Sequence, residues 1–244
     1  KSVYNRGTWD PADPGILRGA PPAPLVKTDI DTPEFETWSR GTKVFDEAGK
    51  PLVLYHGTTG DFDAFNNPYA EDVAGGWSMF AVESSYANQF TGGAAGSVIP
   101  VYLSIKNPLD LSALPARAGD VRVKLERVLR RAGVDVDALD IPYERDLYKF
   151  INRRGFRSQL KAALQEAGYD GIRFPDVHGA IDSDTFVAFE PTQIKSVYNR
   201  GTWDPADPGI LRGAPGAPGP LVKTDIDTFL SKKDGGRCRR IPTQ

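Results

Sequence analysis

The chain is poor in sulfur and in imidazole. Its single cysteine, Cys238, sits in the basic tail GGRCRRIPTQ, which excludes an internal disulfide and a four-cysteine metal site. There are two histidines, His56 and His178, and without a cysteine partner they make a poor case for zinc. No apolar run reaches the roughly 20 residues a membrane helix needs, and the opening KSVYNRGTWD lacks the charged-then-apolar build of a secretion signal. An excess of one charge is missing too. Thirty Lys and Arg face 32 Asp and Glu, a formal net charge of −2, so the whole molecule has no electrostatic bias toward nucleic acid or an anionic membrane. The expectation is a soluble, cytoplasmic protein with no membrane partner, for which nucleic acid is a disfavoured partner that stays open.

What the chain does have is an ordinary globular balance, 40% hydrophobic and 25% charged over 244 residues, enough for one substantial domain or two small ones. It also has a duplication. Residues 1–21 (KSVYNRGTWDPADPGILRGAP) are identical to 195–215, and LVKTDIDT occurs at 25–32 and again at 221–228. Two copies are too few for a solenoid. The second copy reads as the end of a domain and the first as the end of a preceding one, so the chain is expected to be a segment of a tandem array. APPAP (20–24) and APGAPGP (214–220) are stiff linkers, because proline fixes φ and removes a donor. The expected organisation is a tail and linker over 1–31, one domain over 32–212, and a linker with a basic tail over 213–244. A surface that binds 195–215 should also accept 1–21, which raises a tail-swapped homo-oligomer.

Along the domain, Thr32-Pro33-Glu34 suits a helix start, with hydroxyl cap, proline at the first position and an acid in the first turn. The stretch LVLYHGT (52–58) reads as a buried strand that delivers His56 to a site at its end. Phe62 and Phe65 are spaced to pin the following loop onto the core. GGWSMFA (75–81) reads as a hinge and short strand, and SSYANQF (84–90) as a helix with Tyr86 and Phe90 on one face. VIPVYLSI (98–105) is a strand whose proline favours an edge or a bulge. Residues 121–132 and 146–167 are helical by periodicity, with breaks at Gly133, Gly155 and Gly168. GYDGIRF (168–174) and TFVAF (185–189) are later strands, with DVHGA and Asp182–Asp184 as the loop between. Mixed short strands and helices indicate an α+β fold.

Taken together, DEAGKPLVLYHGTTGDFDAF, GWSMFAVESSYANQF, VYLSIKNPLDL, AGYDGIRF and TFVAFEPTQIKSVYNRGTWDPADPGIL resemble the ADP-ribosyltransferase domain of the polyvalent proteins of phages and conjugative elements. The resemblance spans about 33–211 and keeps its parts in order. It implies a split, curved sheet with flanking helices around an NAD cleft, and transfer of ADP-ribose from NAD to a macromolecule, protein being the first expectation. It also implies carriage in a phage particle or delivery into a recipient cell. The wider relatives use a His-Tyr-Glu site. Cleaving the nicotinamide bond develops positive charge on the ribose, so such a site grips a ribose, stacks the nicotinamide ring and sets a carboxylate beside the reacting sugar.

On this resemblance His56 bonds a ribose hydroxyl, the Gly57 backbone reaches the nicotinamide amide, and Thr58 adds a hydroxyl. An ungapped reading puts Phe90 at the helix tyrosine and Met79 at a stacking aromatic, with Tyr86 one turn before Phe90 as the alternative; Trp77 and Phe80 are neighbouring aromatics. The catalytic glutamate slot falls on Thr185, flanked by Asp182 and Asp184, of which Asp184 is the leading replacement acid. Glu190 is about 16 Å along the strand from that slot. Gln193 is a further polar candidate. The missing glutamate motivates a second reading, a degenerate module that binds NAD or ADP-ribose, or serves only structurally, without turnover.

Overall fold

The computed structural model of the chain describes residues 27–60, 62–65, 76–93, 96–116, 121–142, 144, 146–153, 155–200 and 203–210. The first copy of the duplicated segment (1–21), the second LVKTDIDT (221–228), Cys238 and residues 66–75 lie outside the described residues.

Helix α1, Pro33–Ser39, starts where its residue types direct: Thr32 caps it by accepting from the Phe35 N–H at 3.2 Å, and Pro33 opens it. It buries Phe35 and Trp38. Among the described residues seven strands form one sheet, in the order β4-β5-β6-β2-β1-β3-β7. They are β1 Leu54–Thr58, β2 Ser78–Ala81, β3 Ser97–Leu103, β4 Pro108–Asp110, β5 Gly171–His178, β6 Ile181–Ala188 and β7 Ile194–Ser196. All neighbours are antiparallel except β4 and β5. The β1–β2 seam is the weak one. Tyr55↔Ala81 is its one register pair, whereas β1 and β3 match from Leu54↔Val101 through Thr58↔Ser97. The sheet thus opens into two halves at its centre, the split expected for this fold.

Alternation along the strands sorts the core into two faces. Ile172, Phe174 and Val187 face the helices α3 Val121–Arg131, α4 Leu147–Ile151 and α5 Phe156–Glu166, which contribute Leu125, Leu129, Phe150, Leu160 and Leu164. Leu54, Phe80, Val101, Leu103, Phe186 and Ala188 form the other face. Gly155, at φ 81°, separates α4 from α5 in a conformation that favours glycine. No described helix is long and apolar enough to cross a membrane.

Two sequence expectations need correction. Strand β3 is not an edge: it lies between β1 and β7. Pro100 is tolerated there because its carbonyl accepts from the Val197 N–H at 3.1 Å, while the donor it lacks is supplied to the Val197 carbonyl by Thr28 at 2.9 Å. The second correction is the length of the β5–β6 hairpin. Its strands run to His178 and from Ile181, with Gly179 at φ 64° in the turn, so Asp182, Ser183 and Asp184 are strand residues, not loop residues. Register settles which way each points.

Residues after β7 form a strap. Trp203 packs edge-on against Phe35 at 4.7 Å between ring centroids, with Trp38 and Tyr102 around it. The Ile210 carbonyl accepts from the Ser196 N–H, the Ile210 N–H donates to Asp63, and Ala64 bridges Gly209. The N-terminal segment joins the same cluster, with Ile30 packed against it.

Candidate active site

The split between β1 and β2 opens into a cleft of about 960 Å³. His56 stands at its wall near the end of β1, half-buried, with the rings of Phe65, Phe80 and Phe62 at 4.9, 5.5 and 6.2 Å. Its Nδ1 donates to the Met79 carbonyl at 2.8 Å, spanning the seam where ladder pairing has stopped. A carbonyl only accepts, so Nδ1 carries the proton and the neutral ring keeps an acceptor lone pair on Nε2. Burial pulls the His56 pKa below its ordinary value, and the Met79 bond opposes this only in part. The imidazole is therefore neutral at pH 7.

Gly57 shows why its position takes glycine. A Cβ there would stand 1.9 Å from the Ala87 carbonyl oxygen and 3.1 Å from the Phe90 Cβ, so helix α2, Ser84–Asn88, lies directly on the strand backbone. That close approach puts Tyr86 and Phe90 at the cleft, their rings 5.4 Å apart. Phe90 also lies 5.2 Å from His178 and 6.5 Å from Tyr148. Trp77 stacks on Phe189 at 5.7 Å and 18°, and its indole N–H donates to Asn152 at 3.4 Å.

Deeper in the cleft, the Tyr86 hydroxyl donates to the carboxylate of Asp176. Both residues are buried. Burial, followed by the bond and charge of Asp176, raises the Tyr86 pKa far above its ordinary value, so the hydroxyl stays protonated. Thr185 lines the same wall, 3% exposed, and its Oγ1 has no hydrogen-bond partner among the described residues. Arg157 brings a half-buried cation beside Tyr148 and Asn152. Burial lowers its pKa, with Tyr148 opposing. Among the described residues no three of His, Cys, Asp and Glu gather as a metal site requires.

A family model described as ADP-ribosyltransferase in polyvalent proteins matches residues 46–203. The chain belongs to that family. No curated protein matches it, and no solved structure matches it.

Of the residues expected from sequence, the ADP-ribosyltransferase domain brings His56, Gly57, Thr58, Trp77, Met79, Phe80, Tyr86, Phe90 and Thr185 to one cleft. It does not bring Asp184 or Gln193 there. Asp184 lies on the sheet face opposite Thr185, where Arg173 Nε and Nη2 both donate to it, and it lines a smaller cavity of about 380 Å³ together with Asp182. One residue of offset along β6 is the whole reason, since adjacent strand residues point oppositely. Gln193 instead caps the turn Pro191–Gln193: its Oε1 accepts from the Glu190 N–H at 2.8 Å and its Nε2 donates to the Asp170 carbonyl at 2.9 Å. Glu190 is exposed and near Lys161. Asp176, Tyr148 and Asn152 were not legible as site residues. Asp176 sits in a segment that reads as loop, and the available signal was the alternation I-R-F-P-D continuing past Phe174.

Proposed function

We propose that this ADP-ribosyltransferase-family domain takes NAD as its substrate, cleaves the bond between nicotinamide and ribose, and transfers ADP-ribose to a macromolecular acceptor, a protein. The observation that carries this reading is His56, a neutral imidazole fixed through Nδ1 to the Met79 carbonyl, on the wall of a cleft whose volume falls in the range of small-molecule sites. Its Nε2 accepts from a ribose hydroxyl. The Gly57 and Thr58 backbone and hydroxyl serve the nicotinamide amide, and Tyr86, Phe90, Trp77 and Phe80 give the aromatic surface that a nicotinamide ring needs. Arg157 supplies positive charge for the pyrophosphate. The unsatisfied Thr185 hydroxyl also fits a ligand that brings its own polar groups, because a buried hydroxyl without a partner is costly.

Incubation of the chain with NAD should release nicotinamide, and His56→Ala should lose both release and NAD binding. Binding that His56→Ala leaves unchanged overturns the reading. Thr185, where the resemblance implies the glutamate slot, favours a second reading in which the domain binds NAD without turnover. Nicotinamide release separates the two. The acceptor surface we assign to the segments 66–76 and 140–157, the second of which carries α4 and the start of α5. The duplicated segments support a homo-oligomer with exchanged tails, which light scattering of the full chain tests: a strict monomer at all concentrations removes it.

A further inference from the structure

The carboxylate that ADP-ribosyl transfer needs has no glutamate to supply it at Thr185. Among the described residues two carboxylates line the cleft, those of Asp63 and Asp176. Asp63 is exposed, on the loop tied to the strap by the Ile210 N–H. Asp176 is 5% exposed and sits one strand over from the glutamate slot. Register makes the relation specific. Phe174 pairs with Thr185 and Asp176 with Ser183, so Thr185 and Asp176 share one sheet face as diagonal neighbours, roughly 7 Å apart. Two observations besides its sign single out Asp176. The Tyr86 hydroxyl orients it, and the orphaned Thr185 hydroxyl stands beside it, buried and without a partner among the described residues. Asp176 also lines the smaller cavity that holds Asp182 and Asp184, so it is the wall the two cavities share.

We propose that Asp176 is the catalytic carboxylate of this domain, moved from β6 to the neighbouring strand β5, with Tyr86 as its positioning residue. The proposal rests on the NAD-cleaving reading above. In the step it serves, the bond from ribose C1′ to the nicotinamide nitrogen breaks and its electron pair stays with nicotinamide, which leaves neutral. The positive charge that develops at C1′ is met by the Asp176 carboxylate. The acceptor, water in the simplest assay, gives a lone pair to C1′, and the proton it loses passes to Asp176 and then to solvent.

The test measures nicotinamide release and, separately, NAD binding by calorimetry, for the full chain and for Asp176→Asn, Asp63→Asn and Asp184→Asn. Asp176→Asn is expected to lower kcat at least ~100-fold while leaving the Kd for NAD within about threefold. Full release by Asp176→Asn, or a loss of release carried by Asp63→Asn or Asp184→Asn in its place, overturns the assignment and leaves the NAD-cleaving reading standing. A native chain that binds NAD through His56 and releases no nicotinamide overturns both. Where Asp176→Asn does not fold, Tyr86→Phe decides: it keeps the carboxylate but removes a donor to its charged form, so the acidic limb of the kcat profile should move to higher pH. A purely structural Tyr86–Asp176 pair leaves that limb in place, and an unmoved limb overturns the proposal.

Discussion

Thr28 donates its backbone N–H to the carbonyl of Val197 at 2.9 Å, and its hydroxyl donates to the carbonyl of Asn199. The first bond stands in for the donor that Pro100 cannot offer from β3. Together the two bonds make a segment that reads as linker in the sequence part of the sheet's edge. Thr28→Pro removes both donors, and it should cost roughly 1–2 kcal/mol and open the chain before Thr32 to protease. Limited proteolysis with N-terminal sequencing and a denaturant titration check this; NAD affinity should not change.

Gly57→Ala is expected to be more damaging than its position at a strand end suggests. The added Cβ meets the Ala87 carbonyl at 1.9 Å, and that atom is main chain, which cannot swing aside. Helix α2 must move off β1, at about 1–3 kcal/mol for such overpacking, taking Tyr86 and Phe90 with it. A fall in the thermal midpoint together with weaker NAD binding is the expected pair of results. Stability held at the native level would show that α2 is free to shift.

The pH dependence of stability follows from His56. Its folded pKa lies below the ordinary 6.5 through burial, so between the lowered value and 6.5 the unfolded chain binds more protons than the folded one. Stability then rises with pH through that window and is lost as pH falls through it. Denaturant midpoints measured from about pH 5 to pH 7.5 should climb and then level near the unfolded histidine value. The climb should be smaller in His56→Ala.

Arg157 separates cation from scaffold in the cleft. Arg157→Ala should weaken NAD binding by roughly tenfold, the scale of one charge-assisted contact, and Arg157→Lys should recover part of it. Calorimetry at two salt concentrations checks both, since a charge contact weakens as salt rises. Equal affinities for the native chain and Arg157→Ala would remove this residue from the pyrophosphate.

Much of the frame was readable because its signals are local. Thr32-Pro33 announces α1, LVLYHGT announces β1 and its histidine, and the spacing of Val121, Leu125 and Leu129 announces α3. The site was half legible for the same reason. His56, Gly57, Tyr86 and Phe90 lie within motifs, whereas which aspartate faces the cleft depends on pairing between distant segments. P-D-V-H and I-D-S-D are poor strand formers by propensity, and only their mutual pairing, from Pro175↔Asp184 to His178↔Ile181, makes them strands. That register turns Asp184 away and Asp176 inward. Pro100 misleads by the same logic, since its tolerance in a central strand depends on Thr28, 72 positions earlier in the chain.

The strap has a mechanical side. Gly209 and Ile210 hold Ala64 and Asp63, and the loop so held carries Phe62 and Phe65, the rings against His56. A load on Ile210 therefore reaches the histidine wall through two short backbone links as directly as it reaches the sheet, where the Ile210 carbonyl accepts from the Ser196 N–H of β7. Whatever shifts the strap at Gly209 and Ile210 is thus felt at the cleft wall as well as at the sheet edge.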